Sequence, residues 1–331
     1  MTVRVLGLVS IVAVLIGLTS CKRESDVPAS PATQAAGVTK VKLQLNWKPE
    51  PQFGGFYAAD VVGAYRKHNL DVEVTPGGAG APTIDMVGAG TVPFAVVSGD
   101  EFVVARARGN KVVALFAVYQ TNPQGIMTRA GRGFTKLDDV FANPGTLAIE
   151  RGLPYAAFME RKYGFGKLKV VPSPFGDLSV YRTDPAYSMQ CFVTSEPLAA
   201  AKVGVEPKTF LIADSGYNPY TTVLATSDAY AKANPQVVTA MVAAVGEGWR
   251  AYLDDPSATN AKMHALNPTM DPETFKASAD VQKPLIETDE TRASGLGTMT
   301  EARWQALGSQ LKELGVIDAL PPATEYFRSD R

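Results

Sequence analysis

The segment WKPEPQFGGFY (residues 47–57) decides the fold, because it turns a strand into a loop and then into a helix. Residues 41–46 (VKLQLN) alternate apolar and polar side chains, which predicts a strand with one buried face. Two prolines and a Gly-Gly pair follow, so we expect a stiff loop with room for a ligand and a helix from Phe56. Open α/β sheets bind ligands at the carboxyl ends of their strands, where Trp47 and Glu50 stand. This loop therefore indicates small-molecule binding.

The rest of the chain repeats the alternation of short strands and helices. The first section reads β-α-β-α-β, which predicts a mostly parallel sheet with further strands at residues 69–74, 94–97 and 112–119. A second set of strands is predicted at residues 146–149, 168–172, 190–194 and 209–212, and a return strand at 220–226. The C-terminal part is predicted to be mainly helical, with Trp249 and Trp304 as core residues at helical spacing.

The chain is thus expected to cross between two lobes twice. We assign residues 41–120 and 221–331 to lobe 1 and residues 121–220 to an inserted lobe 2. Two lobes joined by two crossing segments form a hinged clamp, and the expected mechanism is closure over a ligand.

The N-terminus has the features of a processing signal. Arg4 precedes a short apolar stretch that ends in LTSC (residues 18–21), which resembles a bacterial lipobox. We therefore predict a lipoprotein signal peptide over residues 1–20 and lipidation of Cys21, which would anchor the protein to a membrane. The alternatives are an ordinary signal peptide or a single anchor helix. Residues 21–40, rich in Ala, Pro, Ser and Thr, are predicted to be a flexible tether.

Composition excludes several other classes of protein. A formal net charge of −1 gives no electrostatic case for nucleic acid or an anionic membrane surface. The two cysteines are Cys21 and Cys191, so a lipidated Cys21 leaves no intrachain disulfide. His68 and His264 are far apart and have no neighbouring cysteine, so we expect no metal site. We also expect no cofactor and a monomer.

Several motifs resemble one family of proteins. They are LNWKPEP (45–51), GFYAA (55–59), LDV (70–72), FAVVS (94–98), VYQ (118–120), PQGIM (123–127) and FVTSEP (192–197). With the lipobox, they resemble the solute-binding proteins of ABC importers, in the NMT1/THI5-like and SsuA-like group. The resemblance implies an α/β, two-lobed periplasmic-binding-protein-like fold (type II) with parallel-rich sheets flanked by helices. It also implies an extracytoplasmic location and an ABC permease and ATPase as partners.

The candidate site residues lie at predicted strand ends that should face the cleft. They are Trp47, Glu50, Tyr57, Ser98, Asp100, Glu101, Tyr119, Gln120, Tyr155, Glu196, Tyr217, Asn218 and Tyr220. Aromatic rings offer stacking surface, and carboxylates accept hydrogen bonds from ring N–H or amino groups. Structural alternatives stay open: Asp100 and Glu101 suit a first helical turn, Tyr57 and Tyr155 suit helix cores, and Glu196 suits a backbone contact.

The ligand expected from these residues is a planar, amino-bearing heterocycle. The resemblance implies imports that include thiamine pyrimidine precursors, riboflavin, sulfonates and nitrate. Anion binders of the family offer a Ser/Thr-rich helix N-terminus, whereas this chain has RGLPY (151–155), in which Pro154 removes an N–H donor. Arg151 keeps an anion open. We predict a thiamine pyrimidine precursor, with riboflavin or a sulfonate- or nitrate-type anion as the alternatives.

Two other functional classes remain open at this point. The first is a pyrimidine synthase of the THI5 type, which the family resemblance implies uses a histidine, a lysine and a cysteine-rich segment. The export signal and the single cysteine near residue 191 argue against this enzyme. The second is a lipoprotein sensor with the same clamp.

Overall fold

A computed structural model describes residues 37–328, in which two five-stranded sheets are flanked by helices. The predicted signal peptide, the lipidation site Cys21 and most of the predicted tether lie outside the described residues. The first strand begins at Thr39, two residues before the predicted start, so the last residues assigned to the tether belong to the sheet.

The first sheet has the strand order β2-β1-β3-β10-β4. Its first segment runs through β1 (Thr39–Gln44), α1 (Gly54–Val61), α2 (Ala64–Lys67), β2 (Leu70–Thr75), α3 (Thr83–Gly88), β3 (Phe94–Val97), α4 (Gly99–Ala107) and β4 (Val112–Tyr119). The helix predicted from Phe56 begins at Gly54 and is interrupted after Val61, because Gly63 adopts a left-handed conformation between α1 and α2.

The second sheet has the strand order β7-β6-β8-β5-β9. It is built from β5 (Gln124–Arg129), α5 (Leu137–Ala142), β6 (Gly145–Ala148), α6 (Pro154–Tyr163), β7 (Leu168–Val171), α7 (Ser179–Thr183), β8 (Tyr187–Phe192), α8 (Glu196–Lys202) and β9 (Pro207–Leu211). The chain then returns to the first sheet.

The last segment completes the first sheet and covers it with helices. It consists of β10 (Thr221–Ser227), α9 (Asp228–Ala233), α10 (Pro235–Asp254), α11 (Ser257–Leu266), α12 (Pro272–Ile286), α13 (Asp289–Ser294) and α14 (Glu301–Glu313). None of the helices between residues 37 and 328 has the length and apolar character needed to cross a membrane.

Both sheets are mixed, but four of the five strands of the first sheet run in the same direction, in agreement with the predicted mostly parallel sheet. In the first sheet, β1 pairs in parallel with β2 and β3, but β10 is antiparallel to both β3 and β4. In the second, β6 pairs in parallel with β7 and β8, but β5 is antiparallel to β8 and β9. Strand β5 is the first strand after the first crossing, and β10 is the first strand after the second crossing. Each of them runs antiparallel to both of its neighbours.

The Gly-Gly pair of the opening segment serves helix packing and not ligand access. A Cβ at Gly55 would lie 2.2 Å from the indole of Trp249, and one at Gly54 would lie 2.3 Å from the ring of Tyr252. The two glycines therefore let α1 approach α10 closely. Trp249 and Trp304 are fully buried, which confirms the prediction that both are core residues.

Candidate ligand-binding site

A cavity of about 470 Å³ is bordered by residues from both sheets and from the crossing segments. Its volume lies in the range typical of sites for small organic ligands. The loop after β1, the N-terminus of α4, the N-terminus of α6, the end of β8 and the N-terminus of α8 all contribute residues. The opening segment thus reaches the cavity through its loop, as its position after the first strand predicts.

The lining is strongly acidic. It contains six carboxyl groups, from Glu50, Asp85, Asp100, Glu101, Glu150 and Glu196. Among the described residues that border the cavity, none is Lys, Arg or His. Arg151, the residue that kept an anionic ligand open, is exposed and pairs with Glu160 at 3.0 Å. A bound anion would therefore meet carboxyl groups without a compensating side-chain cation.

In the loop after β1, the carboxyl group of Glu50 accepts hydrogen bonds from two side chains of the same segment. The indole Nε1 of Trp47 donates to Glu50 Oε1 at 3.3 Å, and Nε2 of Gln52 donates to Glu50 Oε2 at 3.1 Å. Burial raises the pKa of Glu50, and these two hydrogen bonds oppose that rise. Trp47 and Glu50 are therefore presented to the cavity as one preformed unit.

A second acidic group forms at the start of α4. Ser98 Oγ lies 2.6 Å from Asp100 Oδ1 and 2.7 Å from Glu101 Oε2, and the hydroxyl of Tyr217 donates to Asp100 Oδ2 at 2.8 Å. A serine hydroxyl has one hydrogen, so two such contacts require a second proton. Burial and the nearby Asp100 raise the pKa of Glu101, which makes Glu101 the group best placed to hold that proton.

In the second sheet, Gln190 of β8 connects the ends of two elements. Its Oε1 accepts a hydrogen bond of 2.5 Å from the backbone N–H of Glu150 and another of 2.5 Å from the hydroxyl of Tyr155. Tyr155 lies in the first turn of α6 and is buried. The tyrosine predicted at the site is thus anchored by a glutamine that the sequence did not single out.

Glu196 borders the cavity from the first turn of α8. Its Oε2 accepts a hydrogen bond of 2.8 Å from the backbone N–H of Phe192. Burial and, to a smaller extent, the charge of Glu50 together raise the pKa of Glu196 to about 7, although the hydrogen bond from the N–H of Phe192 opposes the rise. Acidic groups from the two lobes therefore influence each other across the cavity.

Two aromatic rings, one following a strand of each sheet, meet at the cavity. Trp47 and Phe175 have ring centroids 6.3 Å apart with an interplanar angle of 35°. Phe175 is 48% exposed and has a φ of 48°, a backbone conformation that is uncommon for bulky residues. The surrounding turn, SPFG (173–176), places an apolar ring between Pro and Gly, and this was the only sequence signal for it.

Six candidate residues do not border the cavity: Tyr57, Tyr119, Gln120, Tyr217, Asn218 and Tyr220. Tyr57 is a buried core residue of α1. The hydroxyl of Tyr119 donates to Gln282 Oε1 at 2.6 Å, and Tyr217 acts behind the lining through its hydrogen bond to Asp100.

Gln120 and Asn218 instead connect the two crossing segments. The backbone N–H of Asn122 donates to Asn218 Oδ1 at 2.8 Å, and Asn218 Nδ2 donates to the carbonyl oxygen of Gln120 at 3.3 Å. Arg303 of α14 donates to the carbonyl oxygen of Asn218 at 3.0 Å and stacks over the ring of Tyr220. Tyr220, also a candidate from the sequence, is buried under Arg303 next to these two segments.

The cavity also contains residues that the sequence did not indicate. The polar and aromatic ones include Asn46, Gln52, Thr83, Asp85, Asn122, Gln124, Glu150, Phe175, Gln190 and Ser195. Of the predicted residues, the lining includes Trp47, Glu50, Ser98, Asp100, Glu101, Tyr155 and Glu196. Within residues 37–328, no group of three or more His, Cys, Asp or Glu side chains is arranged to hold a metal ion.

The two-sheet α/β architecture with two crossings and a cavity between its parts defines the periplasmic-binding-protein fold. The periplasmic aliphatic sulphonate binding protein SsuA from Escherichia coli shares it with a TM-score of 0.67 at 11% identity, over 88% of this chain and 92% of that chain. The periplasmic nitrate-binding protein NrtA from Synechocystis PCC 6803 gives a TM-score of 0.65 at 15% identity, over 88% and 87% of the two chains.

A model of the NMT1/THI5-like family matches residues 50–259, and this chain belongs to that family. The predicted family assignment is therefore confirmed. The riboflavin-binding protein RibY from Chloroflexus aurantiacus is 22% identical over all of this chain and 98% of its own length. A 4-amino-5-hydroxymethyl-2-methylpyrimidine phosphate synthase from Legionella pneumophila is 24% identical over 31% of this chain and 32% of its own length.

Proposed function

We propose that this protein is the solute-binding component of an ABC importer and that it binds a planar nitrogen heterocycle with no anionic group. The acidic, cation-free lining of the cavity carries the proposal. Carboxyl groups accept hydrogen bonds from ring N–H, amino and hydroxyl groups, and Trp47, Tyr155 and Phe175 offer rings for stacking. Family membership and the two-lobed fold support the role in import.

An anionic ligand fits this cavity poorly. Helix N-termini attract anions because their free N–H groups carry partial positive charge. The first turns of α4 and α8, which border the cavity, already hold Asp100, Glu101 and Glu196. At these two helix ends the protein's own acids therefore occupy the positions where a sulfonate, nitrate or phosphate would bind.

Riboflavin is the ligand that we favour. A cavity of about 470 Å³ suits a fused ring with a polyhydroxyl chain better than it suits one small ring. The many acceptors in the lining match a ligand with many donors. The similarity to a riboflavin-binding protein over the whole chain supports the same choice.

An aminopyrimidine of the thiamine pathway is the second candidate. The raised pKa of Glu196, about 7, is the observation that favours it. A carboxyl group that exchanges a proton near neutral pH pairs well with an aminopyrimidine, whose amino group donates and whose ring nitrogen accepts. The similarity to the Legionella synthase covers less than a third of either chain. We therefore propose binding without catalysis.

The test is calorimetry of the purified, ligand-free protein with five compounds. They are riboflavin, riboflavin phosphate, 4-amino-5-hydroxymethyl-2-methylpyrimidine, taurine and nitrate. We expect riboflavin to bind most tightly and its phosphate at least about tenfold more weakly, since the added anion meets the acidic lining. Tighter binding of taurine or nitrate than of either heterocycle would contradict the proposal.

The membrane attachment and transport partners are part of the same proposal. Lipidation of Cys21 would hold the protein at the extracytoplasmic face of a membrane, next to an ABC permease and ATPase. Metabolic labelling with a radioactive fatty acid tests the anchor: the native protein should incorporate label and Cys21→Ser should not. Equal labelling of both proteins would remove Cys21 as the lipidation site.

A further inference from the structure

Gln190 has an amide group whose orientation is fixed by chemistry. The atom that faces the backbone N–H of Glu150 must be the amide oxygen, because a backbone N–H only donates. The hydroxyl of Tyr155 contacts the same oxygen. The amide nitrogen of Gln190 therefore points away from both partners, and within residues 37–328 it has no hydrogen-bond acceptor, although Gln190 borders the cavity.

Asn122 repeats this arrangement at the crossing between the lobes. Its Oδ1 accepts a hydrogen bond of 2.9 Å from the backbone N–H of Gln124, which fixes the oxygen in the same way. Its Nδ2 has no acceptor in the described part of the chain, although the residue is only 5% exposed and borders the cavity. Because Asn122 borders the cavity, its amide nitrogen can donate to a ligand there.

Three other donors of the lining are already used. Trp47 Nε1 and Gln52 Nε2 donate to Glu50, and the Ser98 hydroxyl lies between two carboxyl groups. The two amides add hydrogen-bond donors to a lining whose six carboxyl groups are acceptors. The carboxyl groups accept hydrogen bonds from donors on a ligand, and these two amides donate hydrogen bonds to an acceptor on it.

We propose that Gln190, with Asn122 as a second donor, recognises a ring carbonyl, so that the ligand is an oxo-bearing heterocycle. The Glu150 carboxylate belongs to the residue whose backbone holds Gln190, and it also borders the cavity. A donor and an acceptor side by side match the edge of an imide, where C=O alternates with N–H. This inference rests on the proposed function and sharpens it, since flavins carry such an edge and the thiamine aminopyrimidine has no ring carbonyl.

The test uses Gln190→Glu, which keeps the oxygen that accepts from Glu150 and Tyr155 and replaces the amide donor. Gln236→Glu is the matched control, because it adds the same charge at an exposed position in the first turn of α10. Calorimetry with riboflavin and with 4-amino-5-hydroxymethyl-2-methylpyrimidine is run on both variants and the native protein. Thermal unfolding checks that all three are folded.

We expect Gln190→Glu to weaken riboflavin binding by about tenfold or more and Gln236→Glu to leave it unchanged. Tyr155→Phe removes one of the two donors that orient the amide and should give a smaller loss. If riboflavin binds and Gln190→Glu does not weaken it, the carbonyl assignment is wrong and the proposed function stands. The same holds if the native protein binds only the aminopyrimidine. Binding of neither heterocycle would overturn both.

Discussion

The two walls of the cavity differ in how their polar groups are used. On the lobe 1 side, Glu50 is bonded by Trp47 and Gln52, and Asp100 is bonded by Ser98 and Tyr217. On the lobe 2 side, the amide nitrogen of Gln190 and the carboxylate of Glu150 have no partner among the described residues. The exposed ring of Phe175 belongs to the same wall.

This contrast suggests that the two sides of the cavity have different roles in ligand binding. A wall whose groups are already bonded keeps its geometry when a ligand arrives, so less ordering opposes binding. A wall with free donors and acceptors gains its hydrogen bonds only when a ligand is present. We infer that lobe 1 provides a fixed platform and that lobe 2 selects the ligand as the lobes close.

The largest loss of ligand affinity is expected from a substitution on the lobe 1 side, at Trp47. Trp47→Ala removes the stacking surface and one donor to Glu50, so affinity for the heterocycle should fall by about 10- to 100-fold, or roughly 1–3 kcal/mol. Thermal stability should change little because the indole is only partly buried. Ligand titration followed by tryptophan fluorescence and calorimetry measures this, with Trp47→Phe as the control that keeps a ring. Unchanged affinity in Trp47→Ala would remove this residue from the platform.

The next effect concerns stability as a function of pH. The pKa of Glu196 rises from 4.5 to about 7 on folding, so between these values the folded protein holds a proton that the unfolded chain has released. Stability from this group is present in acid and is lost as pH rises toward 7. Glu196→Gln cannot lose a proton, so the variant should be more stable than the native protein at pH 8, by about 1–2 kcal/mol.

Urea unfolding at pH values from 4 to 8 checks this prediction. The curves of the two proteins should converge near pH 4 and separate above it. A constant difference across the range would show that Glu196 does not change its protonation in this window.

A smaller effect is expected at the ring of the second wall. Phe175→Ala removes the lobe 2 aromatic that meets Trp47, so affinity should fall by about 3- to 10-fold, from a contact of roughly 0.5–1.5 kcal/mol. The loss should lie in a faster dissociation rate, because the contact forms between the lobes. Val180→Ala is the control, since Val180 is 50% exposed and does not border the cavity. Equal dissociation rates in both variants would contradict a role for Phe175.

The smallest effect tests the bonded wall. Ser98→Ala removes the hydroxyl between Asp100 and Glu101, which should lower the free energy of unfolding by about 0.5–1 kcal/mol. Ligand affinity should change less than twofold if this group is mainly structural. A loss of affinity as large as that of Gln190→Glu would contradict the proposed difference in role between the lobe 1 and lobe 2 sides.

Much of the architecture follows from local sequence. Strands β3 and β4 occupy residues 94–97 and 112–119 as predicted, because each is an apolar run with polar or turn residues at its ends. The cavity residues Trp47, Glu50 and Ser98 were predicted from their position just after a strand. A residue that directly follows a strand lies at the edge of the sheet, and the local sequence alone is enough to identify it.

The remaining site residues depend on contacts between distant segments. Gln120 and Asn218 also lie near strand ends, yet they connect the two crossings, which are 98 residues apart. Tyr119 turns toward Gln282, 163 residues away. Gln190 sits inside a strand at a position with no distinctive neighbours, and its role depends on which atoms Glu150 and Tyr155 present to it. Local patterns do not contain this information.

Mass spectrometry of the small molecule that copurifies with the protein tests the central claim most directly. The protein is purified from its own cells under native conditions, then denatured to release the ligand. We predict a planar nitrogen heterocycle without a sulfonate, phosphate or nitrate group, absent from protein that carries Trp47→Ala. Release of an organosulfonate or a phosphate ester in equal molar amount to the protein would contradict the account.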